Sequence, residues 1–356
     1  MLTFDTVVVG AGITGLASAY HIKRENPDMN VAVVEKKGGT FAQGNTARSA
    51  AGFRDLFSSE VNRKLTSSSI SFYRKVQESG FNLGMKFNGY LFLAGRKFVE
   101  CDVVQGFIRE GGRARVVEED EIREAGFNTR PSSEEKALLS VPDIDAGLLG
   151  RNCGIIEPDR LAAYYEGECR RMGGVEFLYN TEVRPLRLKP VEPLNYPGEP
   201  FLWQSVHVDT LDTSRGGTVR AEQYVLCTDM WTTALLDPTG IDSHTRPKKR
   251  QVFQVSGSEI SSLVRHPPMV EGEDVLPPFT ILPAHGIIMR PEPKSGSVWF
   301  SVADDYGRPY SFEEDPPAGT RVLREEHSAS CECLHTGCLK VQGDVDVGWP
   351  LRLQHH

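Results

Sequence analysis

The sequence has no apolar run longer than a β-strand, whereas a helix needs about 20 consecutive apolar residues to cross a bilayer. It also has no excess of basic residues: 40 lysines and arginines stand against 48 aspartates and glutamates, so the formal net charge is −8. A protein that binds nucleic acid needs cations to neutralise the phosphates. We therefore expect no transmembrane segment and no nucleic acid partner.

Cysteines are too few and too irregularly spaced for a disulfide framework. The chain has seven, which is an odd number, and this pattern indicates reduced thiols. The first predicted strand starts within five residues of Met1, which leaves no room for a signal peptide. The predicted location is therefore the cytoplasm.

Residues 5–35 are the stretch around which the rest is organised. They read as a β-strand, a turn with Gly10, Gly12 and Gly15, a helix, and a second strand that ends at Glu35. The first glycine allows a tight turn, the second lets the backbone approach a pyrophosphate, and the third lets the helix pack against the strand. N–H groups at the helix start bind phosphates, and the acid can bind the adenosine ribose.

This arrangement predicts a dinucleotide site for FAD or NAD, because a carboxylate at Glu35 would repel the 2′-phosphate of NADP. The backbone of Ile13 and Thr14 is expected to contact the pyrophosphate, and Lys36 to cover the adenine side. A small, polar, glycine-rich loop follows, and we expect Ala47, Arg48 and Ser49 in it to flank the flavin end.

The remainder of the chain alternates between helical and β-rich blocks. Apolar residues recur at helical spacing from Val61 through Leu65 and Phe72 to Val76, which predicts a helix with a core-facing stripe. Proline-rich residues 184–218 read as hairpins and loops, and residues 248–303 read as strands. Because 356 residues exceed one ordinary domain, we expect a nucleotide domain interrupted by a mostly β substrate domain.

Four segments carry a resemblance to a known family. The sequence resembles the FAD-dependent D-amino-acid-oxidase superfamily, which includes glycine and sarcosine oxidases, and it is most similar in appearance to archaeal dye-linked L-proline dehydrogenases. The matching segments are the N-terminal dinucleotide fold, the loop at residues 45–52, the segment 154–158 before a helix, and residues 224–231.

The resemblance implies an α/β (α+β overall) fold, with a Rossmann-like FAD-binding domain interleaved with a mostly antiparallel β substrate domain. The expected FAD domain comprises residues 1–55, 146–185 and 219–245, and the substrate domain comprises residues 56–145, 186–218 and 246–327. FAD is the implied cofactor. The resemblance also places Val183 against the adenine, and Cys227, Thr228 and Trp231 near the ribityl and phosphate groups.

The implied chemistry is the dehydrogenation of an amino acid or secondary amine, such as L-proline or sarcosine, by hydride transfer from Cα to the flavin. A substrate carboxylate is best held by an arginine fork, and Arg54 and Arg290 are the candidates. Two alternatives stay open: oxidation of a 2-hydroxy acid or glycerol 3-phosphate, and a non-catalytic flavin-binding scaffold subunit. The electron acceptor can be oxygen, a quinone or dye, or a partner subunit, and the chain can form an oligomer.

The sequence departs from the family pattern in two places. Asp229 stands where the family usually has glycine, and we expect its side chain to face solvent. Residues 328–356 lack the glycine-rich ending of the family, which suggests a change of reading frame or a truncation after residue 327. Cys331, Cys333 and Cys338 match no common closed zinc site, so no metal is expected.

Overall fold

The computed structural model describes residues 1–39, 44–109, 113–139, 141–245, 252–265, 269–270, 276–282 and 286–302. The strands in these residues are β1 (Leu2–Val9), β2 (Val31–Val34), β3 (Gly52–Phe53), β4 (Tyr90–Ala94), β5 (Ala114–Glu118), β6 (Ala146–Gly150), β7 (Gly154–Ile155), β8 (Val175–Leu178), β9 (Val183–Pro190), β10 (Val206–Thr213), β11 (Thr218–Leu226), β12 (Val252–Val255), β13 (Phe279–Ile281), β14 (Ile287–Glu292) and β15 (Ser297–Val302). The helices are α1 (Ile13–Glu25), α2 (Gly44–Ala47), α3 (Glu60–Glu78), α4 (Arg96–Val99), α5 (Asp102–Arg109), α6 (Glu119–Glu124), α7 (Ser133–Leu139), α8 (Pro158–Met172), α9 (Thr232–Leu236) and α10 (Ser258–Val264), with 3-10 turns at Asp229–Trp231 and Asp237–Thr239.

The described residues divide into two compact units. The first contains residues 1–49 and 158–245, and the second contains residues 50–157 and 252–302. Both units are discontinuous in sequence, as expected for one domain interleaved with another. The predicted α/β class with a Rossmann-like part and a mostly antiparallel β part is confirmed.

The first unit is built on a sheet with the strand order β8-β2-β1-β11-β10-β9. Strands β8, β2, β1 and β11 run parallel, and β10 and β9 are antiparallel additions at one side. Every residue of β2 is buried, as are Val7, Val8 and Val9 of β1. Such continuous apolar runs are typical of central parallel strands, because both faces of the sheet are covered.

The second unit is built on a sheet with the strand order β12-β15-β14-β13-β4-β6-β5. Its pairings are antiparallel except for the parallel pair of β13 and β4. One face packs Leu91, Met289 and Phe300 against apolar residues of α6 and α10. Because side chains alternate along a strand, Tyr90 and Phe279 point to the opposite face.

The structure groups three segments differently from the predicted domains, and the first is residues 50–55, which belong to the second unit. Residues 186–218 contain most of β9 and all of β10, and these strands pair with each other and with β11 in the sheet of the first unit. Residues 146–157 contain β6 and β7, and β6 pairs with β4 and β5 of the second unit. Strand partners are distant in sequence, so local patterns did not indicate them. Which unit binds FAD and which binds substrate stays a prediction.

The predicted core-facing stripe on α3 is wrong for the first half of the helix. Val61 is 65% exposed and Leu65 is 60% exposed, whereas Val76 near the other end is buried. The helix is held at that end by Gln77, whose side chain accepts from the backbone N–H of Met85 and donates to its carbonyl, at 2.8 and 2.9 Å. Helical spacing shows that a helix is amphipathic, but it does not show that another element covers the whole apolar face.

Residues 303–356 lie outside the described residues, and so does the break that we predicted after residue 327. Within the part of the chain that the structure describes, no helix has the length and apolar character needed to cross a membrane.

Candidate functional site

Close backbone contacts leave no room for side chains at two positions in the glycine turn after β1. Gly10 has a φ of +102°, which L side chains rarely adopt, and a Cβ there would lie 2.5 Å from the carbonyl oxygen of Cys227. A Cβ at Gly15 would lie 1.9 Å from the carbonyl oxygen of Gly10. Both contacts are shorter than van der Waals separations, so the turn and the start of α1 require glycine at these two positions. Among the described residues, a Cβ at Gly12 would meet only the Thr46 hydroxyl, at 3.3 Å.

The start of α1 presents backbone N–H groups to this turn. Gly12 is the N-cap residue and supplies no side-chain cap, so the N–H groups of Thr14 and Gly15 have no acceptor within the helix. The N–H of Ile13 instead donates to Oγ1 of Thr46, at 2.9 Å. Thr46 thereby joins α2 to the start of α1, and its own hydroxyl hydrogen remains available for donation.

Glu35 connects the end of β2 to the same turn. Its carboxylate accepts the N–H of Ala11 at 2.8 Å and the N–H of Lys37 at 2.9 Å. A carboxylate has about four acceptor positions, so these two bonds leave room for a ribose hydroxyl. The predicted adenosine contact at Glu35 is therefore compatible with its structural bonds.

Lys36 and Trp231 form one side of this region. The Lys36 ammonium lies 4.7 Å from the centroid of the Trp231 ring, within the range of a cation–π contact. The sequence placed these residues at different parts of the cofactor, and the structure brings them together. Thr228 is held by a hydrogen bond of 2.9 Å between its hydroxyl and that of Thr232.

Cys227 lies beneath the glycine turn. Its N–H donates to the carbonyl of Val9 at 2.8 Å, and its Sγ lies 3.8 Å from the hydroxyl of Ser18. Burial raises the pKa of the Cys227 thiol, so the group stays protonated and acts as a small packing residue. Val183, the first residue of β9, is half-buried and packs against the core of the first unit.

The loop that we expected along the ligand contains the short helix α2. Asn45 on this helix donates to the carboxylate of Asp229, and Asp229 has a φ of +50°. Its side chain is exposed, which agrees with the expectation that it faces solvent. Ala47 and Arg48 are half-buried and Ser49 is exposed, and the N–H of Ser49 donates to the carbonyl of Thr46 at 3.3 Å.

These residues fit the predicted dinucleotide. The turn leaves no side chain at Gly10, Gly12 or Gly15, and two N–H groups of α1 lack helical acceptors. A carboxylate with spare acceptor positions stands at the end of β2. The arrangement can bind a pyrophosphate at the helix start and a ribose at Glu35.

In the second unit, the two predicted arginines share one face of the seven-stranded sheet. Register pairs Phe279 with Tyr90 and Arg290 with Trp299. Thr280 pairs with Met289, which puts Phe279 next to Arg290 across β13 and β14. Directly paired residues point to the same side of a sheet, so the four side chains form one row. We call this row the arginine face; its members are Tyr90, Phe279, Arg290 and Trp299.

Arg54 lies over the arginine face at Tyr90. Its guanidinium carbon is 4.8 Å from the ring centroid of Phe57, 5.5 Å from that of Tyr90 and 5.6 Å from that of Phe92. The side chain is half-buried, and no carboxylate in the described chain forms an ion pair with it. Burial raises the pKa of Tyr90, so its phenol is neutral. The site therefore offers a cation among aromatic rings without a built-in anion.

Arg290 is surrounded differently. It is 4% exposed, and its Nη1 donates to the carboxylate of Glu292. Its guanidinium carbon lies 4.3 Å from the ring centroid of Trp299. The Nε of Arg290 and the Nε1 of Trp299 are buried without a hydrogen-bond partner among the described residues. Arg290 thus already has a counter-ion, and its Nε donor is buried away from any described acceptor.

Three residues at these sites were missed by the sequence reasoning: Asn45, Thr46 and Asp55. The first two lie in the predicted loop, next to residues that we singled out. Asp55 directly follows Arg54 and is 2% exposed. Single polar residues in loops carry no periodic signal, so only the structure identifies their partners. Within the described residues, no group of three or more histidine, cysteine or acidic side chains could hold a metal ion.

Several solved structures share this fold. L-proline dehydrogenase from P. horikoshii superposes with a TM-score of 0.62 at 18% sequence identity, covering 94% of this chain and 77% of that chain. Glycine oxidase from Geobacillus kaustophilus has a TM-score of 0.59 at 18% identity, and the superposition covers 88% of this chain and 75% of that chain. For L-amino acid deaminase from Proteus vulgaris the TM-score is 0.55 at 16% identity, with 85% of this chain and 61% of that chain covered. At such low identities the likeness shows the fold.

Curated relatives match part of the chain. Sarcosine oxidase subunit beta of Rhodobacter capsulatus is 28% identical over 192 residues, which is 52% of this chain and 43% of that protein. FAD-dependent oxidoreductase domain-containing protein 1 of Bos taurus is 37% identical over 100 residues, which is 25% of this chain and 20% of that protein. The matches span less than half the length of either relative.

A family model described as FAD dependent oxidoreductase (DAO) matches residues 5–349. The match continues past residue 327, so it gives no support to a break there. It confirms the resemblance to the D-amino-acid-oxidase superfamily, and FAD is the cofactor of that family. The chain belongs to the DAO family of FAD-dependent oxidoreductases.

Proposed function

We propose that the protein dehydrogenates an amino acid or a secondary amine, such as L-proline or sarcosine, with FAD as the acceptor of the hydride. The observation that carries this proposal is Arg54. It is a half-buried cation between three aromatic rings, and no carboxylate of the described chain pairs with it. Such a group is suited to a ligand that brings its own carboxylate.

Arg54 holds and orients the substrate. Its planar guanidinium can bind both oxygens of a carboxylate with two parallel hydrogen bonds. The rings of Phe57, Tyr90 and Phe92 exclude water from one side of the guanidinium, which strengthens its interaction with an anion. Holding the carboxylate restricts where the Cα–H bond of the substrate points.

Bound FAD supplies the two-electron chemistry by accepting the hydride from Cα. The nitrogen of the substrate loses its proton to solvent, and the resulting imine is hydrolysed by water. The residues that would hold FAD are those of the glycine turn and its neighbours. They are Gly10, Gly12, Ile13, Thr14, Gly15, Glu35, Lys36, Thr46, Ala47, Arg48, Ser49, Val183, Cys227, Thr228 and Trp231.

The relatives support the substrate class. Their names include sarcosine oxidase, L-proline dehydrogenase, glycine oxidase and L-amino acid deaminase, and each of these names describes an amine or amino acid. Arg290 is the second candidate anchor, but its pairing with Glu292 favours Arg54. The name "subunit beta" of one relative supports a partner subunit for this chain as well.

The described cysteines are unbridged: Cys101, Cys153, Cys169 and Cys227 have free thiols. This supports a reducing compartment, and we propose the cytoplasm. The electron acceptor after FAD is oxygen, a quinone or dye, or the partner subunit. A dye-linked assay compared with oxygen consumption distinguishes these acceptors.

Flavin absorbance tests the proposed reaction. Purified protein would be mixed without oxygen with L-proline, sarcosine, other amino acids, 2-hydroxy acids and glycerol 3-phosphate. We expect L-proline or sarcosine to bleach the visible absorbance of the bound flavin. Bleaching by hydroxy substrates alone would assign the alternative activity. Bound FAD that no substrate bleaches would identify a non-catalytic scaffold subunit. Either of these two results would overturn the proposal.

A further inference from the structure

Arg54 is held by very little regular backbone structure. Strand β3 ends at Phe53, and its pairing with β7 matches Gly52 with Ile155 and Phe53 with Gly154. If this register continued by two residues, Asp55 would stand opposite Asn152. The backbone hydrogen bonds between β3 and β7 end before that point. Another interaction must therefore fix the chain after Arg54, at Asp55.

The side chain of Asp55 makes that connection. Asn152 donates from Nδ2 to Oδ2 of Asp55 at 2.9 Å. Cys153 donates from Sγ to Oδ1 at 3.7 Å. The two carboxylate oxygens are therefore bound by consecutive residues on the opposite segment, just before β7. Side-chain hydrogen bonds continue the pairing where backbone bonds end.

The donors of Asp55 are themselves fixed. Nη2 of Arg74 on α3 donates to Oδ1 of Asn152 at 2.7 Å, which sets the amide so that its Nδ2 faces the carboxylate. The guanidinium of Arg74 lies 4.2 Å from the ring centroid of Phe87. Burial raises the pKa of the Cys153 thiol, so the thiol keeps the proton that it donates.

Because the Asp55 carboxylate is buried, breaking its two hydrogen bonds is energetically costly. Asp55 is 2% exposed, and a buried carboxylate that loses its donors is strongly disfavoured. The residue therefore cannot turn toward solvent without breaking both bonds. Because Asp55 is directly bonded to Arg54 in the chain, its fixed side chain restricts the backbone from which the Arg54 guanidinium extends over Tyr90 and Phe92.

We propose that Asp55, held by Asn152 and Cys153, is a positioning residue that keeps Arg54 over the arginine face. It acts through Arg54 and does not touch the substrate. The substrate part of this inference rests on the proposed function, because it takes Arg54 as the anchor of a carboxylate.

Asp55→Asn is the main test variant. It keeps the size of the side chain but replaces one acceptor oxygen by an NH₂ group that must face a donor. The reciprocal double variant Asp55→Asn with Asn152→Asp restores a donor–acceptor pair with the roles exchanged. Glu121→Gln, which breaks the ion pair with Arg115 elsewhere in the same unit, is the matched control.

The binding probe is L-tetrahydro-2-furoic acid, which has the ring and carboxylate of L-proline but an oxygen in place of the nitrogen. It is titrated into the FAD-loaded protein and followed by the flavin spectrum. Asp55→Asn is expected to raise its Kd by about tenfold, with the KM for L-proline raised more than kcat is lowered. The reciprocal variant should bind the probe with a Kd within about threefold of that of the parent. The Glu121→Gln control should have the same Kd as the parent, and the affinity for FAD should not change in any of these variants.

A crystal structure of Asp55→Asn gives a readout that needs no substrate. The inference predicts that the Arg54 guanidinium leaves its place over Tyr90. If Arg54 stays there and the probe binds as in the parent, the inference is overturned. If Asp55→Asn does not fold, Asn152→Ala removes one donor, and an unchanged Kd in that variant overturns it equally. Failure of the parent to oxidise any substrate would reject the proposed function, while the position of Arg54 would still decide the role of Asp55.

Discussion

Arg54 and Arg290 lie on one face of the same sheet and differ in what surrounds the guanidinium. Arg54 follows a two-residue strand, is half-buried, and has aromatic rings but no carboxylate partner in the described part of the chain. Arg290 lies within β14, is 4% exposed and is paired with Glu292 two residues later. The same residue type thus occurs once with its charge uncompensated and once with a built-in counter-ion.

This difference separates a binding role from a structural one. An arginine that already has a carboxylate partner gains little from a second anion, which Glu292 would repel. An arginine without such a partner gains the full interaction with an incoming carboxylate, and the rings around it reduce competition from water. Burial and pairing are therefore better guides to a substrate-binding arginine than the presence of arginine at a strand end.

The largest effect is expected from Arg54→Ala. Removing both hydrogen bonds to the carboxylate should lower kcat/KM for the best amino acid by on the order of 1,000-fold, which corresponds to about 4 kcal/mol. Arg54→Lys keeps the charge but not the fork, so it should recover only part of the loss. Steady-state kinetics on FAD-loaded variants measures this. Near-normal kinetics in Arg54→Ala would assign the anchor elsewhere.

The second-largest effect is expected on the thermal stability of an Arg290 variant. Arg290→Met leaves the largely buried Glu292 carboxylate without its cation, which should cost about 3 kcal/mol and lower Tm by roughly 6–12 °C. Adding Glu292→Gln removes the unpaired charge and should restore most of the Tm. Thermal unfolding followed by circular dichroism gives both values. A variant with normal Tm that no longer binds the carboxylate probe would reverse the roles of the two arginines.

The smallest effect is expected from Tyr90→Phe. The ring on which Arg54 lies is kept, and only the neutral hydroxyl is lost, so kcat/KM should change by less than about threefold. Burial raises the pKa of Tyr90, so its phenol stays protonated well above the ordinary value of about 10. The pH profiles of variant and parent should therefore coincide up to that pH. A large loss of activity would show that the hydroxyl itself contacts the substrate.

Much of the first unit could be predicted from the sequence because its signals are local. Two continuous apolar strands, β1 and β2, with the three glycines and a helix between them are typical of one strand–turn–helix–strand arrangement. Gly10 and Gly15 need to be glycine for reasons that involve only nearby backbone. The family segments then placed this unit within a known fold.

Contacts between distant segments could not be predicted in the same way. Strands β9 and β10 have ordinary strand patterns, and nothing local indicates that they pair beside β11. Arg54 and Arg290 were recognised as candidates, but their burial and the pairing of Glu292 depend on register between strands. Asp55 and Thr46 were missed for a similar reason, since their partners are 97 and 33 residues away.

A crystal structure of the FAD-loaded protein with L-tetrahydro-2-furoic acid would show which arginine binds the substrate carboxylate. We expect the carboxylate of this acid to be bound by the guanidinium of Arg54, above the ring of Tyr90, with the Arg290–Glu292 pair intact. A carboxylate bound by Arg290, with Glu292 displaced, or bound away from both arginines, would contradict it.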